Sequence, residues 1–374
     1  MKPILSNLGW NETFQQQLES SNHTEAIPAR VTRIDRGRYT VHTGESVTSA
    51  QLSGSFLNGY QTALEQPTIG DWVLIDPLEL TQGHLITHVL ERKSLFARQS
   101  SGKTSGNQLL AANIDYLFII AGLDQDYNPR RIQRYLTQAW NSGAQPVVIL
   151  NKADLLEDKS QIIEELKRQI PDTPIHAVSA LYLEKLESLN PYLGRGNTIA
   201  LSGSSGVGKS SLINALLGEE RLLTQSNRAD DNRGRHTTSW RELIVLASGT
   251  CVIDLPGMRE LQLTGEEAGV MKAFSDINFL ARNCRFRNCR HEGEPGCALQ
   301  EAMDSGELSL ERFGQFTKLK NENASARKRG KARKPKIFPK QNKWREKESV
   351  FKEIAIQYRK TNNAKRKLNQ EDGF

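Results

Sequence analysis

The stretch "IALSGSSGVGKSSLINALLG", Ile199 to Gly218, reads as an apolar strand, a glycine-rich loop and an apolar helix in that order. Its loop matches G-x-x-x-x-G-K-[ST] at Gly203, Gly208, Lys209 and Ser210, a pattern that turns backbone N–H groups inward around phosphates. Glycine is required there because a Cβ obstructs that conformation. Ser204, Ser205, Gly206, Val207 and Ser211 complete the expected phosphate-binding set. In this reading Lys209 neutralises the β and γ phosphates and the Ser210 hydroxyl ligates Mg2+.

A phosphate loop does not choose a base, and the base-reading element lies upstream. "QPVVILNKADLL", Gln145 to Leu156, is a buried-type strand ending in Asn151, Lys152, Ala153 and Asp154, an N-K-x-D match. A carboxylate at such a strand end accepts two hydrogen bonds from guanine, N1–H and the exocyclic amine, and adenine lacks that pair of donors. The expected ligand is therefore GTP, with the Lys152 stem over the base and Asn151 tying this loop to the phosphate loop. "PIHAVSA" follows, and Ser179-Ala180 resembles the backbone loop that meets the guanine O6.

The remaining elements come after the phosphate loop. "NRGRHTTSW" offers Thr237 and Thr238 as the threonine that completes the Mg2+ shell, with Thr238 favoured. "GTCVIDLPGMREL" supplies Asp254 and Gly257 of a D-x-x-G, acting on Mg2+ through water and on the γ-phosphate. Ordinary Ras-like GTPases carry the phosphate loop first. Here the base-reading motifs precede it, so the G domain reads as a circular permutation, which surface-close termini allow.

With 374 residues the chain is longer than one core usually supports. Before the G domain, "IPARVTRIDRGRYTVHT" alternates around an Asp-Arg-Gly-Arg turn as a hairpin, and "PTIGDWVLIDP" and "GHLITHVLER" add short strands. These suggest a barrel of the OB type, with Arg30, Arg33, Arg36 and Arg38 as a candidate basic face. "FARQSSGKTSGNQLLAAN" reads as a loop, with Lys103 in a flexible stretch.

After the G domain, Cys284-x4-Cys289-x-His291-x5-Cys297 sets three thiolates and one imidazole at a spacing suited to structural Zn2+. Four protein ligands leave no open position for a catalytic water. Arg282, Arg285, Arg287 and Arg290 make the knuckle basic and a candidate nucleic-acid contact. From Lys318 onward 19 Lys and Arg face 6 Asp and Glu, a net +13 in a chain of total charge +7. That tail reads as mobile in isolation and as an anchor for a polyanion, with a helix plausible over Trp344 to Lys360. No apolar run reaches a membrane-spanning length and the N-terminus lacks an export pattern, so a cytoplasmic location is expected.

The fold expected is a multidomain α/β chain: an N-terminal extension (1–26), an OB-fold barrel (27–100), a circularly permuted G domain (101–265), a helical zinc-binding domain (266–320) and a basic, flexible tail (321–374). The combination of permuted NKAD, GSSGVGKS, HTT and DLPG with the Cys3His knuckle resembles the small-ribosomal-subunit-dependent GTPase A family, called RsgA or YjeQ, over about residues 27 to 320. The resemblance implies an enzyme that docks on the small ribosomal subunit and its 16S rRNA late in maturation. It also implies GTP hydrolysis to GDP and phosphate, stimulated by the subunit and coupled to release of assembly factors or of the enzyme. A monomer without membrane association is expected.

Met258 stands where Ras-like enzymes carry the glutamine that orients water. His236, directly before the switch I threonines, is the candidate for that role, and the resemblance supports the position. Two other readings remain at this stage: an RNA-binding structural protein with a nucleotide-stabilised fold, and a P-loop enzyme acting on a small molecule. Asp154 argues against the second.

Overall fold

The computed structural model describes residues 3–21, 23, 25–35, 37–59, 63–78, 83–99, 107–219, 242–255 and 267–331. A short helix α1 (Pro3–Ser6) and α2 (Glu12–Ser20), capped by the Asn11 side chain on the Phe14 N–H, lead into five strands. These are β1 (Ile27–Asp35), β2 (Arg38–His42), β3 (Val47–Leu52), β4 (Trp72–Ile75) and β5 (His84–Val89), with helix α3 (Gly54–Gly59) between β3 and β4. They close into a barrel in the order β1-β2-β3-β5-β4, antiparallel except for the β3–β5 pair. The expected hairpin turns between Asp35 and Arg38, which pair across β1 and β2. Ala29, Val31, Val41, Ala50, Val73, Ile75 and Ile86 fill the barrel, the inward set of an alternating pattern.

Two expectations for this region change. "FARQ" and "NQLLAAN" are not loop but a hairpin, β6 (Leu95–Gln99) with β7 (Asn107–Ala112). The glycines and serines between them hid two short pairing segments; Lys103 lies outside the described residues. Arg30 is not on a basic face: it is 1% exposed. Val31 to Arg33 carries a register irregularity in β1, and Arg30 points inward to donate to the carbonyls of Leu8, Gly70 and Asn113 while lying on the Trp72 ring. Burial lowers its pKa, and Cys251, Asp115 and Asp71 work against that. Arg30 thus fastens the N-terminal segment, the barrel and the G domain. Arg33 pairs with Asp35, Arg38 is exposed, and Arg36 lies outside the described residues.

The G domain is built on a six-stranded sheet of β8 (Tyr116–Gly122), β9 (Gln145–Asn151), β10 (Ile175–Ala177), β11 (Thr198–Gly203), β12 (Leu243–Val245) and β13 (Cys251–Asp254). Its order is β10-β9-β8-β11-β13-β12, all parallel except β12. β11 is buried throughout because apolar side chains cover both faces of a parallel sheet. The helices α4 (Pro129–Ser142), α5 (Ser160–Gln169) and α6 (Lys209–Leu217) follow β8, β9 and β11. In chain order the phosphate-loop strand β11 comes fourth, yet in the sheet it lies between β8 and β13, which is the permutation expressed in space.

Helices α7 (Glu267–Ala273), α8 (Ser275–Ala281), α9 (Ala298–Asp304) and α10 (Leu310–Lys331) form the C-terminal module. Its Phe274, Leu299, Phe316 and Leu319 share a core with Ile132, Leu136 and Ala139 of α4. Gly269 permits this approach, since a Cβ there would meet the Thr137 carbonyl at 2.3 Å. The basic run is also partly corrected: α10 continues to Lys331, through the first residues of "ARKRGKARKPK". Its packed side, with Phe316, Leu319 and Asn323, nucleates a helix that Ala, Arg and Lys propagate well. Residues beyond 331, including 344–360, lie outside the described residues.

Candidate functional site

The phosphate loop begins where β11 ends. Gly206 (φ +83) and Gly208 (φ +92) adopt the left-handed backbone, and α6 starts at Lys209 directly behind them. A Cβ at Gly208 would lie 2.2 Å from Asn151 Nδ2 and one at Gly203 would lie 2.4 Å from the Ile120 carbonyl, so both positions need glycine for packing, and Gly208 needs it for turning as well. The N-terminus of α6 thus opens on the loop, and the positive end of a helix favours an anion. Lys209 Nζ donates to the Gly203 and Ser204 carbonyls at 2.9 and 2.7 Å, folded onto the cradle that phosphates would fill. Ser205 and Gly206 are exposed at its tip, Val207 is buried beneath, and Ser210 and Ser211 are half-buried in the first turn of α6.

Asn151 joins the two motifs. Its Nδ2 donates to the Val207 carbonyl at 2.8 Å and its Oδ1 accepts from the Ala180 N–H at 3.0 Å, so one buried amide fixes the phosphate loop and the Ser179-Ala180 loop. The Ala153 N–H donates to the Val178 carbonyl, closing the same corner. Asp154 lies exposed in the single turn Ala153–Leu155, with its carboxylate open to solvent. Ser179 is buried, its backbone paired reciprocally with Glu184 and its hydroxyl accepting from the Tyr182 N–H. Within the Ser179-Ala180 loop, expected to meet the guanine O6, the Ala180 N–H is thus engaged by Asn151 here. Lys152, in a left-handed conformation (φ +61), extends its ammonium to Asp124 at 2.5 Å.

Asp254 stands at the end of β13, one strand from the phosphate loop, with Leu255 bonded to the Leu201 carbonyl. His236, Thr237, Thr238, Gly257 and Met258 lie outside the described residues.

The sequence reading missed the segment between β8 and α4. Asp124 receives Lys152, and Asp126 and Arg131 hold the Ser204 hydroxyl. The available signal was "DQDYNPRR": acidic residues at a strand end before the Asn128 cap and Pro129, a helix start.

In the C-terminal module Cys284, Cys289, His291 and Cys297 bring their ligand atoms within 4.8 Å of one another. His291 Nδ1 lies 3.6 Å from both Cys284 Sγ and Cys297 Sγ, and a tetrahedral centre with Zn–S and Zn–N bonds of ordinary length spaces such atoms by about 3.6 Å. The donor set therefore fits a metal. Burial, with Lys320 adding, lowers the His291 pKa and favours the neutral imidazole that a metal takes. Glu294 shapes the return turn: its carboxylate accepts the Arg290 and Glu292 N–H groups, and those bonds pull its pKa to about 2.

A parallel sheet with a phosphate loop and an N-K-x-D loop joined by one asparagine, entered in permuted order, defines a circularly permuted GTPase fold. Solved structures agree: YjeQ from Thermotoga maritima superposes with a TM-score of 0.59 at 26% identity, covering 80% of this chain and 98% of that one. YloQ, described as a circularly permuted GTPase, gives a TM-score of 0.58 at 22% identity, covering 81% and 97%. A sequence profile of the RsgA GTPase family matches residues 89–264. The Small ribosomal subunit biogenesis GTPase RsgA of Xanthomonas axonopodis pv. citri is 44% identical over 333 residues, 87% of this chain and 90% of that protein. RsgA 2 of Vibrio parahaemolyticus, with the same description, is 40% identical over 320 residues, 86% of each. The chain belongs to the RsgA GTPase family. Among the described residues no helix is long and apolar enough to cross a membrane.

Proposed function

We propose that this chain hydrolyses GTP to GDP and phosphate during late maturation of the small ribosomal subunit, with the subunit stimulating turnover and turnover releasing a factor or the enzyme itself. The observation that carries the nucleotide part is Asn151, whose amide binds Val207 and Ala180 together and so sets the base-reading and phosphate-holding loops at a fixed separation. Asp154 reads guanine through N1–H and the exocyclic amine. Lys209 and the N–H groups of residues 203–211 bind the phosphates. Ser210 and Thr238 hold Mg2+, Asp254 acts on it through water, and Gly257 meets the γ-phosphate. Mg2+ supplies charge neutralisation between the β and γ phosphates. His236 accepts a hydrogen bond from the attacking water.

Cys284, Cys289, His291 and Cys297 hold one structural Zn2+, which turns the loop between α8 and α9 into a rigid basic knuckle. The barrel over 27–100, the knuckle over 266–320 and the cationic tail from 321 contribute, with the G domain over 101–265, to binding 16S rRNA. The chain acts in the cytoplasm, where that partner matures, and as a monomer.

The test is GTP turnover by the purified protein alone, with small subunits and with large subunits, with ATP as the control. Stimulation by the small subunit alone is the expected result. GTP binding without any stimulation would overturn the partner, and equal use of ATP would overturn the base assignment.

A further inference from the structure

The segment from Leu123 to Arg131 has no role in the motifs that identify the G domain, yet it touches both nucleotide-reading loops. It is rigid in itself. Asp124 Oδ1 accepts from the Asp126 N–H at 3.0 Å, the Asp124 carbonyl accepts from the Tyr127 N–H at 3.0 Å, and Asn128 caps α4 through the Arg131 N–H at 3.2 Å. Pro129 occupies the first turn of the helix, where its missing N–H costs nothing. Gly122 leaves room for the segment, since a Cβ there would lie 2.8 Å from Asp124 Oδ1.

Two arms leave this frame. Asp124 reaches Lys152 of the base-reading loop at 2.5 Å. Asp126 and Arg131 reach Ser204 of the phosphate loop. Arg131 Nη1 and Nη2 fork onto the Asp126 carboxylate at 2.6 and 3.1 Å, the Ser204 Oγ–H donates to Asp126 Oδ2 at 2.5 Å, and Arg131 Nη1 donates to Ser204 Oγ at 2.6 Å. The Ser204 hydroxyl is thus both donor and acceptor in a closed triangle. Its position is fixed more tightly than a single bond would fix it, because a planar guanidinium on a carboxylate is preorganised.

Ser204 follows Gly203 and its carbonyl is one of the two that Lys209 rests on. Rotating Ser204 would rotate the peptide planes on either side of it and change where the next N–H groups aim. Asp126, Arg131 and Ser204 also help to line a cleft of about 750 Å³ between α4 and α10. On the same side of α4, Arg130 and Arg134 pair with Glu311 and Glu322 of α10 at 2.8 and 2.5 Å.

We propose that Asp126 and Arg131 are positioning residues for the phosphate loop, acting through the Ser204 hydroxyl to set the direction of the loop's N–H groups, and that they raise guanine-nucleotide affinity without touching the nucleotide. The proposal rests on the reading of residues 203–211 as the phosphate cradle.

The experiment is titration of the full-length protein with a fluorescent GDP, for the wild type, Arg131→Met, Arg131→Lys, Ser204→Ala and the Arg131→Met/Ser204→Ala double variant. Wild-type binding tests the cradle, and its failure would remove both readings. Given that binding, Arg131→Met and Ser204→Ala should each weaken GDP about tenfold, a loss on the order of 1.4 kcal/mol. The double variant should be little weaker than either single one, because both act on the same hydroxyl. Arg131→Lys should recover part of the affinity, which a mere loss of packing would not require. A GDP affinity within twofold of wild type in Arg131→Met, or strictly additive losses in the double variant, would overturn the proposal. Should Arg131→Met fail to fold, Ser204→Ala deletes a single hydroxyl and carries the decision alone.

Discussion

Arg312 and Asp276 meet through two parallel hydrogen bonds of 2.9 Å, which fasten α10 to α8. Arg312 also donates to the Gln169 carbonyl at the end of α5 and lies 4.3 Å over the Phe274 ring. The Arg312 side chain is 6% exposed and that of Asp276 22%, so the pair is largely buried, and removing Asp276 leaves the Arg312 charge to a carbonyl and a ring face, without its carboxylate. Asp276→Ala should therefore destabilise the protein by about 3 kcal/mol. Urea unfolding read separately by a G-domain probe and a C-terminal probe checks it. Both transitions should move, since the two regions share a core.

Asp154 is exposed at the tip of its turn, where the proposed role is to read the base. Asp154→Asn should leave stability within about 0.5 kcal/mol of wild type, the usual range for a surface change. It should weaken GDP roughly 100-fold, since the amide keeps one acceptor oxygen and loses the other, and a hydrogen bond to a charged acceptor contributes about 1.5–3 kcal/mol. Xanthine presents a carbonyl where guanine has its amine, so xanthosine diphosphate should bind the variant better than GDP does. Competition titrations with the two nucleotides decide this.

The Cys3His cluster predicts one metal per chain. Cys297 is 2% exposed and belongs to the core that holds Leu299, Phe316 and α4, so loss of the metal should loosen more than the knuckle. Chelation at neutral pH is expected to lower Tm and expose α9 and α10 to proteolysis while the barrel remains protected. Zinc analysis of Cys297→Ser should fall well below one equivalent. A full equivalent in that variant would exclude Cys297 as a ligand.

Asp124 gives a pH signature. Burial raises its pKa, but the Lys152 hydrogen bond, the Asp126 N–H and the Lys152 charge more than offset this, and the net value lies below the ordinary carboxylate range. A depressed acid contributes stability that is complete above the unfolded value near 3.9 and lost as pH falls through the folded value. Asp124→Asn should therefore lower Tm at pH 7, by about 2 °C or less for a partly exposed pair, and the difference should shrink as the pH falls below the ordinary carboxylate range. Thermal unfolding of both proteins across that range, without nucleotide, measures it.

Much of the fold was legible because its signals were local. "NTIALSG" and "QPVVILN" are short apolar strands ending in motif residues, and β11 and β9 formed as read. The Asp35–Arg38 hairpin and the Cys3His spacing were also visible. What failed needed partners distant in sequence. Arg30 looked like surface charge because nothing near it announces the three carbonyls, at Leu8, Gly70 and Asn113, that accept from it inside. Glycine and serine masked β6 and β7, whose pairing only the finished hairpin reveals. The Asp126–Arg131–Ser204 triangle spans 78 residues and carries no motif.

The residue that orients the attacking water remains to be tested by its loss. Met258 has no group to hold water, and His236, next to the threonines proposed for Mg2+, carries an imidazole whose ring nitrogen can accept a hydrogen bond from water. Positioned acid–base groups contribute roughly 100- to 10,000-fold to a rate. His236→Ala should keep GDP and GTP affinity within about threefold of wild type, since the proposed site holds the base and phosphates through Asp154, Lys209 and the loop N–H groups, whereas subunit-stimulated turnover should drop by about 100-fold or more. A His236→Gln variant separates positioning from proton acceptance: glutamine can direct a water but titrates nowhere near neutral pH. Partial recovery in that variant, with a flat pH profile between pH 6 and 8, would assign His236 to orienting water. Stimulated turnover unchanged in His236→Ala would place the water-orienting group elsewhere.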